Sequence, residues 1–157
     1  MIKVLKGDLL KLSTAEALVI PVNTWGVIPR KGLAAAWAAQ AETEDIAAYR
    51  DFCRAGRARL GAVWFVNGRK PGTQTRFIVF FPVKGHWREK SKLPAIREGL
   101  GSLRAFVEKH KVQSICVPAL GCGGSGLPWR QVRAEIERAL ADLVCDVYLF
   151  APRTEKK

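Results

Sequence analysis

From Pro118 to Trp129 the chain reads PALGCGGSGLPW, four glycines and a serine between an apolar run and an amphipathic one. Glycines let backbone amides come close to an anion, and a helix starting at Pro128 adds unpaired N–H groups and a partial positive charge. A phosphate or diphosphate suits such a loop; a plain connecting turn is the alternative that composition leaves open. The loop is not a P-loop, because GxxxxGKS and GxxxxGKT are absent. Its late position also separates it from the dinucleotide fingerprint, which follows a first strand. Three more polar groups stand after apolar runs: Asp8 in KGDLL, Asn23 at the close of EALVIPVN, and Lys84 just after RFIVFFPV. Singly, each reads as turn, cap or solvated-surface chemistry. Gathered at strand exits, they offer one crevice an accepting carboxylate, an amide that both donates and accepts, and a primary amine.

The elements that must position these groups follow from hydrophobic period. IKVL (2–5), EALVIPVN (16–23), GAVWFVN (61–67), RFIVFFPV (76–83), QSICVPAL (113–120) and CDVYLFAP (145–152) read as strands. Several are continuous apolar, β-branched runs, which suits strands buried on both faces. KGLAAAWAAQA (31–41) is made of helix formers, and TEDIAAYRDFCRAG (43–56) reads as a helix with Thr43 as N-cap and Gly56 as terminator. A third helix starts after Ser91 as cap, with Pro94 in its first turn and Leu93, Ile96, Leu100, Leu103 and Val107 at helical spacing. A fourth, from Pro128, carries Trp129, Val132, Ile136, Leu140 and Leu143 on one stripe. The order ββααββαβαβ predicts an α/β fold, a three-layer α/β/α sandwich around a mixed, mostly parallel sheet of about six strands. One domain is expected over 1–152, with RTEKK (153–157) as a polar tail.

The totals narrow the class. With 157 residues, 48% hydrophobic and 25% charged, the chain has the size and balance of one globular domain. Its apolar runs fall far short of the roughly 20 residues a membrane span needs. The N-terminus alternates like a strand without a signal-peptide layout, so no membrane partner and a cytoplasmic location are expected. Cys53, Cys116, Cys122 and Cys145 show no CxxC or His-paired spacing, which predicts reduced thiols and no metal site. Cys122 has no evident His or acid partner and reads as a packing residue. Net charge is +12, from 26 Lys and Arg against 14 Asp and Glu, which favours polyanionic partners over a merely solvated basic surface.

Taken together, these motifs resemble the macrodomain family, which binds ADP-ribose. The likeness runs through KGDLL (6–10), VIPVNTWGV (19–27), KGLA (31–34) and VPALGCGGSGLPW (117–129). The segment FPVKGHWREKSKLPAIREGL (81–100) is similar to the branch holding the DarG antitoxins and the terminal ADP-ribose glycohydrolases, where a lysine stands at this point. In DarG that lysine serves to remove ADP-ribose from thymidine in single-stranded DNA, where the DarT toxin places it. The resemblance implies a macrodomain fold with ADP-ribose as ligand and no cofactor. Asp8 would bind the adenine amine, with Leu9 lending backbone; Asn23 would contact the distal ribose, with Thr24, Lys31 and Gly32 close by. Gly121, Cys122, Gly123, Gly124, Ser125 and Gly126, flanked by Leu120 and Leu127, would cradle the diphosphate and enclose that ribose. Lys84 would be catalytic, either as a charge on the leaving group or, if its pKa is lowered, as an attacking amine.

Two departures stand out. The family's GVMGKG stretch appears as GVIPRKG (26–32), one residue longer and with Pro29 in a glycine's place. Ser125 replaces the late-loop Asp of the glycohydrolases that act on protein, which points towards the DNA-directed branch. His86 and Trp87 could stack on a base or pack at the rim, and Trp25 could line the pocket or cover the sheet edge. Arg88, Lys90 and Lys92 would put positive charge at the same mouth. The leading expectation is a glycohydrolase that frees single-stranded DNA of ADP-ribose, opposing a DarT-like transferase. A non-catalytic ADP-ribose reader and a hydrolase of ADP-ribosylated protein are the alternatives.

Overall fold

A computed structural model describes residues 1–12, 14–68, 73–124 and 126–152. The strands are β1 (Ile2–Leu5), β2 (Ala17–Asn23), β3 (Trp64–Asn67), β4 (Phe77–Lys84), β5 (Ser114–Val117) and β6 (Asp146–Phe150). The helices are α1 (Leu33–Gln40), α2 (Thr43–Arg54), α3 (Leu93–His110) and α4 (Trp129–Leu140), with a single 3-10 turn at Leu9–Lys11. One sheet takes the order β1-β6-β5-β2-β4-β3. Every pairing is parallel except β3 with β4, so the mixed, mostly parallel sheet expected from the sequence is present.

The alternation of side chains along β2 shows why its run is apolar throughout. Ala17 and Val19 face a core completed by Ile96, Leu100 and Leu103 of α3 and Val132, Ile136 and Leu140 of α4. Leu18, Ile20 and Val22 face the opposite core, with Trp37 of α1 and Tyr49 of α2. Two helices therefore cover each face, and the central strands have no solvent side. In α3, Gly99 lets the helix settle onto the sheet: a Cβ there would stand 2.5 Å from Cζ of Phe81. Glu135, nearly buried, accepts from Arg97 and Arg138 and pins α4 to α3.

Two expected caps are misplaced. The amides of Asp45 and Ile46 both donate to the Glu42 carbonyl, so α2 starts one residue early and Thr43 is its first helical residue. Glu44 and Asp45 then supply the negative charge at the helix start. Lys92, in extended backbone, precedes α3 in place of Ser91, and Pro94 does lie in the first turn. Ser91 is instead drawn inward beneath the glycine loop. Element edges otherwise shift by a few residues: Gly61 to Val63, Pro118 to Leu120 and Leu143 fall outside their expected elements, and Lys84 is taken into β4. Ser125 and residues 153–157 lie outside the described residues.

Candidate functional site

All five parallel strands end on one side of the sheet, and β2 lies between β5 and β4. Asn23 and Lys84, the last residues of β2 and β4, are register partners just past an irregularity at Val22 and Asn23. The Thr24 amide donates to the carbonyls of Lys84 (3.2 Å) and Gly85 (3.0 Å), tying the two exits together. Asn23 is 3% exposed. Its Oδ1 accepts from the amides of Trp25 (3.0 Å) and Val27 (3.2 Å), and its Nδ2 donates to the Val27 carbonyl (2.7 Å). The Tyr49 hydroxyl donates to the Asn23 carbonyl (2.8 Å), and burial pushes that phenol up, so it stays a donor. Most of the amide is thus spent on its own turn, and one Nδ2 hydrogen has no acceptor among the described residues.

Lys84 is half-buried. Desolvation, and then the charge of Lys90, hold its ammonium below the usual lysine range. Among the described residues no carboxylate pairs with it. An amine so placed carries more of its neutral form near physiological pH than a surface lysine does.

The glycine loop is held by its own backbone. The Leu127 amide donates to the Gly121 carbonyl (2.9 Å), that of Cys122 to Ala119 (3.1 Å) and that of Gly126 to Gly123 (3.2 Å). Gly121 has φ +73°, and a Cβ on it would stand 2.9 Å from Leu127 Cδ1 and 3.0 Å from Ser91 Cβ. Only glycine meets both conditions. Gly123 and Gly124 are exposed, with open space where side chains would be. Among the described residues, the amides of Gly121, Gly123 and Gly124 have no hydrogen-bond partner. Unpaired amides on a glycine turn before a helix start are suited to anion oxygens. Lys90 Nζ donates to the Gly124 carbonyl (3.2 Å), so the segment after β4 touches this loop directly. Burial pushes the Cys122 thiol up to about 11, which agrees with packing and leaves almost no thiolate at neutral pH. Leu120 is buried, and Leu127 packs against the core.

The remaining expected residues lie farther out. Asp8, at the exit of edge strand β1, caps the 3-10 turn: its carboxylate accepts from the Leu10 amide (3.0 Å) and has no other partner among the described residues, while its carbonyl accepts from the Lys11 amide (3.1 Å). Leu9 is in the core, and Lys31 and Gly32 are exposed just before α1. His86, Trp87 and Arg88 follow Lys84 after Gly85 and are partly or fully exposed. The sequence did not single out Tyr49, and it left open the surroundings of Trp25 and Ser91. Tyr49 is spaced four residues from Cys53 on α2, a helical period that hints at a shared face, and both approach Asn23. Trp25 is 64% exposed and packs edge-on against His86. Ser91 is buried beside Gly121, and its hydroxyl has no partner among the described residues, a placement nothing in its sequence context signals. A separate apolar cavity, lined by Leu12, Leu18, Trp37, Asp45, Thr75 and Ile78, lies at the other end of the sheet and contains none of these groups.

Comparison with known proteins agrees with this fold. A family model described as Macro domain matches residues 19–136. A DNA ADP-ribosyl glycohydrolase of Thermus aquaticus is 38% identical over 153 residues, 97% of this chain and 41% of that protein. The chain therefore spans about two fifths of the curated relative's length. The macrodomain of Mycobacterium tuberculosis DarG superposes with a TM-score of 0.91 at 34% identity, covering 97% of this chain and 98% of that one. The structure of Thermosipho africanus DarTG in complex with ADP-ribose gives a TM-score of 0.85 at 26% identity, over 96% of this chain and 41% of that one.

Proposed function

The chain belongs to the macrodomain family, and on that premise we propose that it hydrolyses ADP-ribose from a base in single-stranded DNA, thymidine foremost. The observation that carries the reading is Lys84: a partly desolvated amine without a carboxylate partner among the described residues, in register with Asn23 at the strand exits. The free amides of Gly121, Gly123 and Gly124 take the diphosphate, the unoccupied oxygen of Asp8 accepts from the adenine amine, and the spare Nδ2 hydrogen of Asn23 reaches the distal ribose. The bond from the anomeric carbon to the base nitrogen breaks. Water supplies a hydroxyl to the carbon and a proton to the base. Lys84 promotes this either by attacking the carbon as a neutral amine, with water resolving the adduct, or by stabilising the departing base as an ammonium. A DarT-like transferase would supply the modified strand.

The test pairs two substrates with one variant. Wild-type protein and Lys84→Ala are incubated with ADP-ribosylated single-stranded DNA and with ADP-ribosylated protein. Release from DNA that vanishes in the variant supports the reading. Tight ADP-ribose binding with no turnover on either substrate supports a reader instead. Turnover that survives in Lys84→Ala removes this lysine from the mechanism.

A further inference from the structure

We propose that Trp25, His86, Trp87 and Arg88 form a stacking platform for an unpaired nucleobase of the strand on which Lys84 acts. This rests on the glycohydrolase reading and extends it to the part of the substrate that ADP-ribose does not supply. Trp25 is 64% exposed and Trp87 41%, although each ring carries a large apolar area that a core would otherwise claim. They are exposed but not loose. Trp25 meets His86 edge-on, with centroids 4.6 Å apart. His86 stacks on Trp87 at 5.2 Å and 27°, and the Arg88 guanidinium carbon stands 4.6 Å from the Trp87 ring centroid. His86 Nδ1 accepts from the Arg88 amide (3.0 Å), which fixes the imidazole in the row.

The row is assembled from two loops and shares its backbone with the reactive amine. Trp25 is placed by the Asn23 turn, whose next amide bonds the carbonyls of Lys84 and Gly85. His86 to Arg88 continue the chain from Lys84. Any base lying on these rings is thereby indexed to Lys84 through a few covalent and hydrogen-bonded links. Ordered π-faces ending in a cation are how proteins hold single-stranded nucleic acid without reading its sequence, since every base has a face to stack. Lys90 and Lys92, next along the chain, add charge where phosphates would follow. A wall of the ADP-ribose pocket would be made of the same residue types, and the experiment must separate the two.

Binding of a labelled, unmodified oligothymidine is measured by anisotropy for the wild type, Trp25→Ala, Trp87→Ala and Trp25→Phe, with ADP-ribose affinity measured on each by calorimetry. Each alanine variant should bind the strand roughly tenfold more weakly, as loss of one base–aromatic stack implies. Trp25→Phe should recover most of that loss, and ADP-ribose affinity should hold throughout. Strand affinity unchanged in both alanine variants, or a wild type that does not bind the strand, overturns the platform. So does a matching fall in ADP-ribose affinity, which would make the rings a wall of the nucleotide pocket. Release of ADP-ribose from modified DNA by the wild type is scored separately. Its absence would sink the glycohydrolase reading while leaving the strand-binding result to decide the platform.

Discussion

On the β2–β4 side of the site, side chains set the geometry: Asn23 ties its turn, Tyr49 fixes the Asn23 carbonyl, and Lys84 stands beside them. On the glycine-loop side the backbone does that work, with carbonyls closing the turns and amides left over. The difference predicts opposite sensitivities. The first side should suffer when a functional group is deleted, and the second when one is added. The largest effect is expected from the first side. Lys84→Ala should lower turnover about a hundredfold or more, the scale of removing one group that acts on transition-state charge. ADP-ribose affinity should barely change, because the proposed diphosphate grip lies in the glycine loop. A parallel loss of affinity would mean that the two sides are not separate.

Next in size is an addition to the loop. Gly121→Val forces a branched side chain into a left-handed backbone, costing about 1–2 kcal/mol, and drives it into Leu127 and Ser91. ADP-ribose affinity should fall roughly tenfold, read by calorimetry, as the loop shifts to relieve the contact; 1.4 kcal/mol is a factor of ten. Gly123→Ala meets open space and should leave the melting temperature almost unmoved. If both variants melt and bind alike, the loop is not held by the packing at Gly121. Asn23→Ala is the matching deletion on the other side. It removes the acceptor for two amides and the donor to Val27 inside a buried turn, and should cost about 1–3 kcal/mol in chemical denaturation. A cost near zero would show that Tyr49 and the Thr24 bonds hold the strand exits without it.

The same contrast explains what the sequence disclosed. Backbone-built features announce themselves through composition: the glycine loop was visible as glycines, and β2 as an unbroken apolar run needing two covered faces. Helix periods on α3 and α4 likewise gave the layers, and alternation gave the parallel sheet. Features made by tertiary contact left no such trace. Ser91 has the chemistry of a cap and sits near a helix start, yet the chain crossing to the glycine loop pulls it under Gly121. Thr43 lost its expected role to a carbonyl one residue earlier. Asn23 was legible as a polar group at a strand exit, but the bonds that occupy most of its amide run to residues whose identity hardly matters, since they are backbone. Trp25 belongs to no periodic element, so its approach to His86 could not be read from spacing.

Lys90 joins the two sides, and its replacement is the finest probe of their separation. Its Nζ donates to the Gly124 carbonyl, while its charge is the second cause, after desolvation, of the lowered Lys84 pKa. Lys90→Gln keeps a donor for the loop and removes the charge, so ADP-ribose affinity should be little altered. The Lys84 ammonium then loses a repulsive neighbour, and its pKa moves up towards the ordinary lysine value without reaching it, because burial remains. If Lys84 attacks as a neutral amine, the rate rises with pH through that pKa, and the variant's rising limb lies at higher pH and its neutral-pH rate is lower. If Lys84 acts as a cation, the rate falls with pH through the same pKa, and the variant holds its rate to higher pH. Either displacement should shrink in the wild type as salt screens the Lys90 charge. A pH profile identical in wild type and variant at low salt would show that Lys84 does not titrate in the step that limits the rate.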